Sequence, residues 1–251
     1  MKIIFLGTGS STGVPVPGCS CGVCASGSRK NRRYRPAILM TWNGRNILVD
    51  TPPELRLQLV ENNVRRIDAL VFTHCHADHV YGLDDVRIFC RDKKLPVYGS
   101  PDTMREMKRI FPYVFRRTQK GGGKPRVRLM RFRGPFRLFG KKVMPLTVFH
   151  GNKKVTGFRI DDFAYISDCS RIPAATMKLL GGLKVLVLDA LRDIPHSTHF
   201  SLPESLAAAK HIAAGRTYFT HVAHNLDHFR TNNSLPRNMR LAYDGQVFKL
   251  T

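Results

Sequence analysis

The densest group of chemically capable residues in this 251-residue chain is Thr73-His74-Cys75-His76-Ala77-Asp78-His79. Neutral imidazoles are good ligands for zinc and similar divalent ions, and a carboxylate adds charge compensation. In an extended loop, side chains two apart point the same way, so His74 and His76 can share one ion. Asp78 and His79, turning back, can reach a second ion beside it. A polar loop of internally satisfied histidines is the plain alternative, and four ligand-type residues within six positions argue against it.

A second group is Cys19-Ser20-Cys21-Gly22-Val23-Cys24, while Cys75, Cys90 and Cys169 stand apart. Clustered cysteines in a chain with no secretion signal read as a metal site in a reducing compartment, not as disulfides. Met1–Leu6 is too short an apolar stretch for a signal peptide, and no run approaches the roughly 20 residues of a membrane span. These features predict a cytoplasmic protein with no membrane association.

Charge sets the remaining constraint. The formal net charge is +23, and residues 87–142 hold eighteen Lys/Arg against three Asp/Glu. Such a balance predicts attraction to polyanions, nucleic acid among them, or to phosphorylated substrates. The composition, 43% hydrophobic and 24% charged, is that of an ordinary globular chain.

The elements that must position these groups alternate along the chain. Lys2–Leu6 and Ala69–Phe72 read as buried strands, and Ala37–Trp42 with Asn46–Val49 as a hairpin turning at Asn43-Gly44. Leu55, Leu59 and Val60 predict the buried face of a helix over Glu54–Asn62. Asp102–Phe111 predicts an amphipathic helix. Strands follow at Val143–Phe149, Val155–Ile160, Phe163–Ile166, Val185–Leu188, Tyr218–Thr220 and Gln246–Leu250, with a helix over Pro173–Leu180. Ser201-Leu202-Pro203-Glu204 predicts a capping box opening a helix to Ala214. Arg116–Arg133, basic and carrying Gly121-Gly122-Gly123, reads as a basic loop or lid. The pattern predicts a single α/β domain over 1–251, with sheets inside and helices outside.

His-x-His-x-Asp-His after a short strand resembles the signature of the metallo-β-lactamase superfamily. That resemblance implies an αββα sandwich: two mixed sheets with outer helices. It further implies that His74, His76 and His150 hold one metal, that Asp78, His79 and His221 hold the other, and that Asp168 bridges them. Asp50, in Leu48-Val49-Asp50-Thr51, matches the family's Asp that orients a ligand imidazole through its other N–H. The three cysteines, soon after Gly7-Thr8-Gly9, narrow the likeness to PhnP-type phosphodiesterases. These carry a structural zinc, implied here on Cys19, Cys21, Cys24 and His224, which would pin a zinc-binding loop around residues 14–28. No cofactor beyond the metals is implied.

The resemblance implies a hydrolase in which hydroxide bridging two divalent ions (zinc, manganese or iron) attacks a phosphodiester. Asp78 and Asp50 enter its catalytic set. His199, just before the Ser201 cap, lies where bound anions are favoured, and by the same likeness it delivers the leaving-group proton. His196, three residues earlier, competes for that assignment. The expected substrate is a small cyclic phosphate, such as phosphoribosyl 1,2-cyclic phosphate or a 2′,3′-cyclic nucleotide, and the resemblance suggests a homodimer. An alternative is a tRNase Z-like or other nuclease that holds RNA or DNA with the basic loop. A further alternative is a non-catalytic nucleic-acid-binding protein on the same fold.

Overall fold

The computed structural model describes residues 1–90, 93–116 and 123–250. Fourteen strands are β1 (Lys2–Gly7), β2 (Ala37–Trp42), β3 (Arg45–Val49), β4 (Ala69–Val71), β5 (Leu95–Gly99), β6 (Val127–Arg131), β7 (Phe136–Leu138), β8 (Lys141–His150), β9 (Lys153–Ile160), β10 (Phe163–Ile166), β11 (Val185–Asp189), β12 (Arg216–Thr220), β13 (Met239–Leu241) and β14 (Val247–Lys249). They form two seven-stranded sheets, ordered β14-β1-β2-β3-β4-β5-β6 and β13-β12-β11-β10-β9-β8-β7. Helices α1 (Leu55–Glu61), α2 (Ala77–Val80), α3 (Pro101–Ile110), α4 (Pro112–Phe115), α5 (Ala174–Met177), α6 (Leu202–Ile212) and α7 (His228–Ser234), with 3-10 helices at Arg29–Asn31, Leu83–Cys90 and Lys178–Leu180, complete the regular structure among the described residues.

Both faces of the central strands are covered, which is why Val185–Asp189 is buried at every position. Alternation sorts side chains between layers. Ile3 and Phe5 of β1 face Phe163, Tyr165 and Val187 across the inter-sheet core. Ile4 and Leu6 point outward to Leu55, Leu59, Met104 and Met107 of α1 and α3. On the far side, Ala164, Ile166 and Phe219 pack with Leu202, Ala209 and Ile212 of α6. The result is the expected αββα sandwich.

Local chemistry explains the sharpest boundaries. Trp42 pairs with Arg45 across Asn43 (φ 48°) and Gly44 (φ 66°), the two left-handed residues that a tight hairpin demands. At α6 the capping box forms: Ser201 N–H donates to Glu204 Oε2 at 2.8 Å, while Ser201 Oγ accepts from Glu204 N–H.

The sheet directions decide where chemistry can occur. Strands β3 to β6 run parallel, as do β10 to β13, and β8 shares the direction of β10 through the antiparallel β9. Their carboxyl ends gather along one edge of the sandwich, where loops can form a shared cleft.

Two expectations need correction. Val60 is 65% exposed, and Gln58 replaces it on the buried face of α1 by donating its Nε2 hydrogen to Arg35 O. Arg116–Arg133 is not one loop: Val127–Arg131 forms edge strand β6, paired in parallel with β5. Its alternate side chains are too cationic to resemble a core strand, so pairing with β5 overrides local composition. Residues 117–122 of that expected loop lie outside the described residues.

Candidate metal centre

Every histidine and aspartate of the candidate centre follows a strand that ends at the common edge. His74 follows β4, His76 caps α2, and Asp78 and His79 lie within α2. His150 ends β8, Asp168 follows β10, and His221 follows β12. Asp50, Asp168 and His221 adopt left-handed backbone angles, with φ of 64°, 53° and 61°. Non-glycine residues rarely pay that strain except where a turn must aim a side chain. Here each turn redirects a group from the sheet plane into the cleft.

Asp50 is the hub of orientation. It accepts hydrogen bonds from Thr73 N–H at 2.9 Å, Thr73 Oγ1 at 2.8 Å and His79 Nδ1 at 2.8 Å. Because the Thr73 hydroxyl is spent on Asp50, it accepts from His74 Nδ1 at 3.0 Å. His150 Nδ1 donates to Thr198 O at 2.7 Å. Each bond places a proton on Nδ1 and leaves Nε2 facing the cleft, where it could serve a metal ion.

Those free nitrogens converge. His79 Nε2 lies 3.0 Å from Asp168 Oδ2 and 3.4 Å from Asp78 Oδ2, and His221 Nε2 lies 3.3 Å from Asp168 Oδ1 and 3.5 Å from Asp78 Oδ2. His74 Nε2 is 3.9 Å from Asp168 Oδ1. Asp78, His79, Asp168 and His221 could hold one ion, and His74, His76 and Asp168 a neighbouring one. His150 stands beside the second group, its ring 5.0 Å from that of His76, and its ligating atom gathers with those of Asp168 and His199. The Nε2 atoms of His74, His79 and His221 are buried without a hydrogen-bond partner. A divalent cation fits this set of unpartnered nitrogens and carboxylate oxygens.

Electrostatics divide the cleft. Burial opposes charging His79, yet Asp168, Asp78 and Asp50 raise it well above the ordinary imidazole value. Burial is likewise outweighed at His221, which Asp168, Asp78 and Asp189 raise to about 9. In return, Asp168 and Asp78 stay well below the carboxylate range despite burial. On the other side, burial lowers His74, His150 and His76, the last to about 4. One half of the site attracts positive charge and the other keeps its imidazoles neutral.

His199 and His196 separate clearly in space. His199 is buried, donates its Nδ1 hydrogen to Asp189 Oδ2 at 2.9 Å, stacks 4.5 Å from His221 and sits 4.5 Å from His150. His196 is half-buried, 5.4 Å from the His199 ring, and accepts from Thr198 N–H. Asp189 escaped the sequence reading. Its signal was available: Val185-Leu186-Val187-Leu188-Asp189 is an apolar run ending in an acid, the pattern that also delivers Asp50.

The cysteine group assembles as well. His224 Nδ1 lies 3.3 Å from Cys19 Sγ and 3.5 Å from both Cys21 Sγ and Cys24 Sγ. A tetrahedral zinc with ordinary bond lengths requires an S···N edge of about 3.5 Å. The Cys24 N–H and His224 lower the Cys21 thiol to about 6, whereas burial raises Cys24 to about 11. His224 is three residues beyond His221, so the cysteine loop clamps the segment that carries a candidate ligand.

A family profile described as a beta-lactamase superfamily domain matches residues 45–222. A crystal structure described as a new diphosphatase from the PhnP family superposes with a TM-score of 0.93 at 40% identity, covering 98% of this chain and 96% of that one. The chain belongs to the beta-lactamase superfamily and, within it, to the PhnP family. The octanoyltransferase of Porphyromonas gingivalis (strain ATCC BAA-308 / W83) is 32% identical over 250 residues, 98% of this chain and 51% of that protein. The ribonuclease Z of Metallosphaera sedula is 26% identical over 156 residues, 60% of this chain and 45% of that protein. The chain thus spans about half the length of these two curated relatives.

Proposed function

We propose that this protein is a metal-dependent phosphodiesterase acting on a small phosphate ester. The observation that carries the reading is the pair of adjoining ligand groups that share Asp168, with the buried His199–Asp189 pair against them. His74, His76 and His150 would hold one divalent ion, and Asp78, His79 and His221 the other, with Asp168 between. Such ions lower the pKa of water toward 7 and neutralise charge on phosphoryl oxygens.

The chain's own groups do the rest. Asp50 holds the His79 ring, and through Thr73 the His74 ring, in the ligating tautomer. Asp189 fixes the proton of His199 on Nδ1, so that Nε2, once protonated, can pass its hydrogen to a departing alkoxide. Cys19, Cys21, Cys24 and His224 would hold a closed structural zinc with no position for substrate.

The substrate class we favour is a five-membered cyclic phosphate, phosphoribosyl 1,2-cyclic phosphate or a 2′,3′-cyclic nucleotide. Membership of the PhnP family supports it, and the relative described as a diphosphatase adds diphosphates to the candidates. Purified protein assayed against these compounds, a bis-aryl phosphate and pre-tRNA tests the reading. Turnover highest on the cyclic phosphates supports it; turnover of pre-tRNA alone overturns it.

One observation favours a second reading, a nuclease. Arg131 and Arg133 are exposed at the carboxyl end of β6, which points the same way as the strand preceding His74. RNA held there by phosphate contacts would dissociate steeply with added salt.

A further inference from the structure

A cavity of about 620 Å³ opens between residues 29–34 and the turn joining β13 to β14, and no residue of the candidate metal centre lines it. Its volume lies within the range of small-molecule sites. Arg29, Lys30, Arg32 and Arg33 all contribute to its wall. Among the described residues, none of these four cations forms an ion pair with a carboxylate.

Arg33 is only 2% exposed. Its Nη2 donates to Leu226 O at 2.8 Å and its Nη1 to Ala223 O at 3.4 Å, while Nε is buried with no partner. Burial of this guanidinium is costly, and the charges of Asp244, Asp227 and Cys24 offset only part of that cost. Lys30 is held with Nζ 4.7 Å over the Tyr243 ring. Arg29 and Arg32 are exposed at the rim.

The acids nearby are engaged elsewhere. Asp244 accepts from Thr8 Oγ1 at 2.7 Å and Tyr34 N–H at 2.6 Å, and Glu61 accepts from the Tyr34 hydroxyl at 2.8 Å. Burial raises Asp244 to about 7, and the charge it keeps acts on the buried Arg33, leaving the rim cations Arg29 and Arg32 unmatched. A carboxylate ligand would leave much of this positive charge unmatched. A phosphomonoester carries about −1.5 to −2 and accepts the planar guanidinium fork.

We infer that this cavity binds a small organic phosphate of nucleoside monophosphate size, apart from the metal centre, with its phosphate among Arg29, Lys30 and Arg32, above the buried charge of Arg33, and its ring against Tyr34. Arg33 also ties the cavity to the backbone on either side of His224.

Isothermal titration of the metal-loaded protein with AMP tests the assignment, with adenosine and inorganic phosphate as separate arms. The expected result is one saturable AMP event that survives His76→Ala. Lys30→Glu and Arg32→Glu, both away from the buried core, should weaken it at least about tenfold, the loss of one charge-assisted contact. Both variants should still hydrolyse a bis-aryl phosphate at the unaltered rate, showing that they fold. Adenosine and inorganic phosphate should each bind more weakly than AMP. The site is overturned if no saturable event occurs, if it vanishes in His76→Ala, or if both charge reversals leave it unchanged. Equal affinity for AMP and inorganic phosphate would overturn the nucleotide-sized ligand.

Discussion

Asp189 Oδ2 holds the Nδ1 hydrogen of His199 across 2.9 Å while also accepting the Cys169 backbone N–H at 2.8 Å. One carboxylate oxygen thereby fixes an imidazole to the strand end that presents Asp168. A freely rotating histidine could not keep its Nε2 trained on the cleft.

The first prediction concerns leaving groups. His199→Ala should slow diesters of poorly acidic alcohols by about 10²–10⁴, the usual worth of general acid catalysis. Nitrophenyl esters, which need no proton, should slow far less. Asp189→Asn should reproduce the split in milder form. Equal loss on both ester types would remove the proton-delivery role.

The second concerns the metals. His76→Ala should lose active-site metal and abolish hydrolysis, with the circular dichroism spectrum retained. Asp50→Asn should weaken metal binding by about 10–100-fold, because it lets two ligand imidazoles turn. Elemental analysis after dialysis against a weak chelator checks both variants.

Cys21→Ser probes the cysteine site. A structural zinc contributes folding energy directly, so the variant should contain one zinc fewer and melt at a lower temperature. Hydrolysis should fall as well, since His224 and His221 share one short segment. A variant with unaltered zinc content would refute the assignment.

The fourth prediction follows from Asp244. Its folded pKa is raised from 3.8 to about 7, chiefly by burial. The folded state therefore binds its proton more tightly than the unfolded chain. This contribution is fully present below about pH 4 and is lost as pH rises through about 7. Asp244→Asn has no such proton to lose. Relative to the parent, the variant should gain about 2–3 kcal/mol between pH 5 and pH 8, read from urea midpoints at each pH. A constant difference would show that Asp244 ionises normally.

Much of the fold was legible because buried strands announce themselves. Val185–Leu188 and Phe163–Ile166 are uninterrupted apolar runs, and the capping box at Ser201 marks its helix start directly. Short edge elements were not legible: β6 and β7 carry arginines, and while β7 makes a tight hairpin with β8, β6 is ordered by pairing with the distant β5. The candidate ligand residues stood out through their types, and the structure brings His74, His76, Asp78, His79, Asp168 and His221 into adjoining groups that could hold ions. Asp189 carries the same mark as Asp50, an apolar run ending in an acid, but that mark does not reveal its partner. Only its 2.9 Å contact with His199, ten residues onward, gives it meaning.

Asp168 turns its two oxygens to different neighbours, Oδ2 toward His79 and Oδ1 toward His221 and His74. Cation occupancy on one side therefore reshapes the field felt on the other, and the influence must be mutual. Two dications on either side would repel across this shared carboxylate, so the second should be held more weakly than the first and leave first under a chelator.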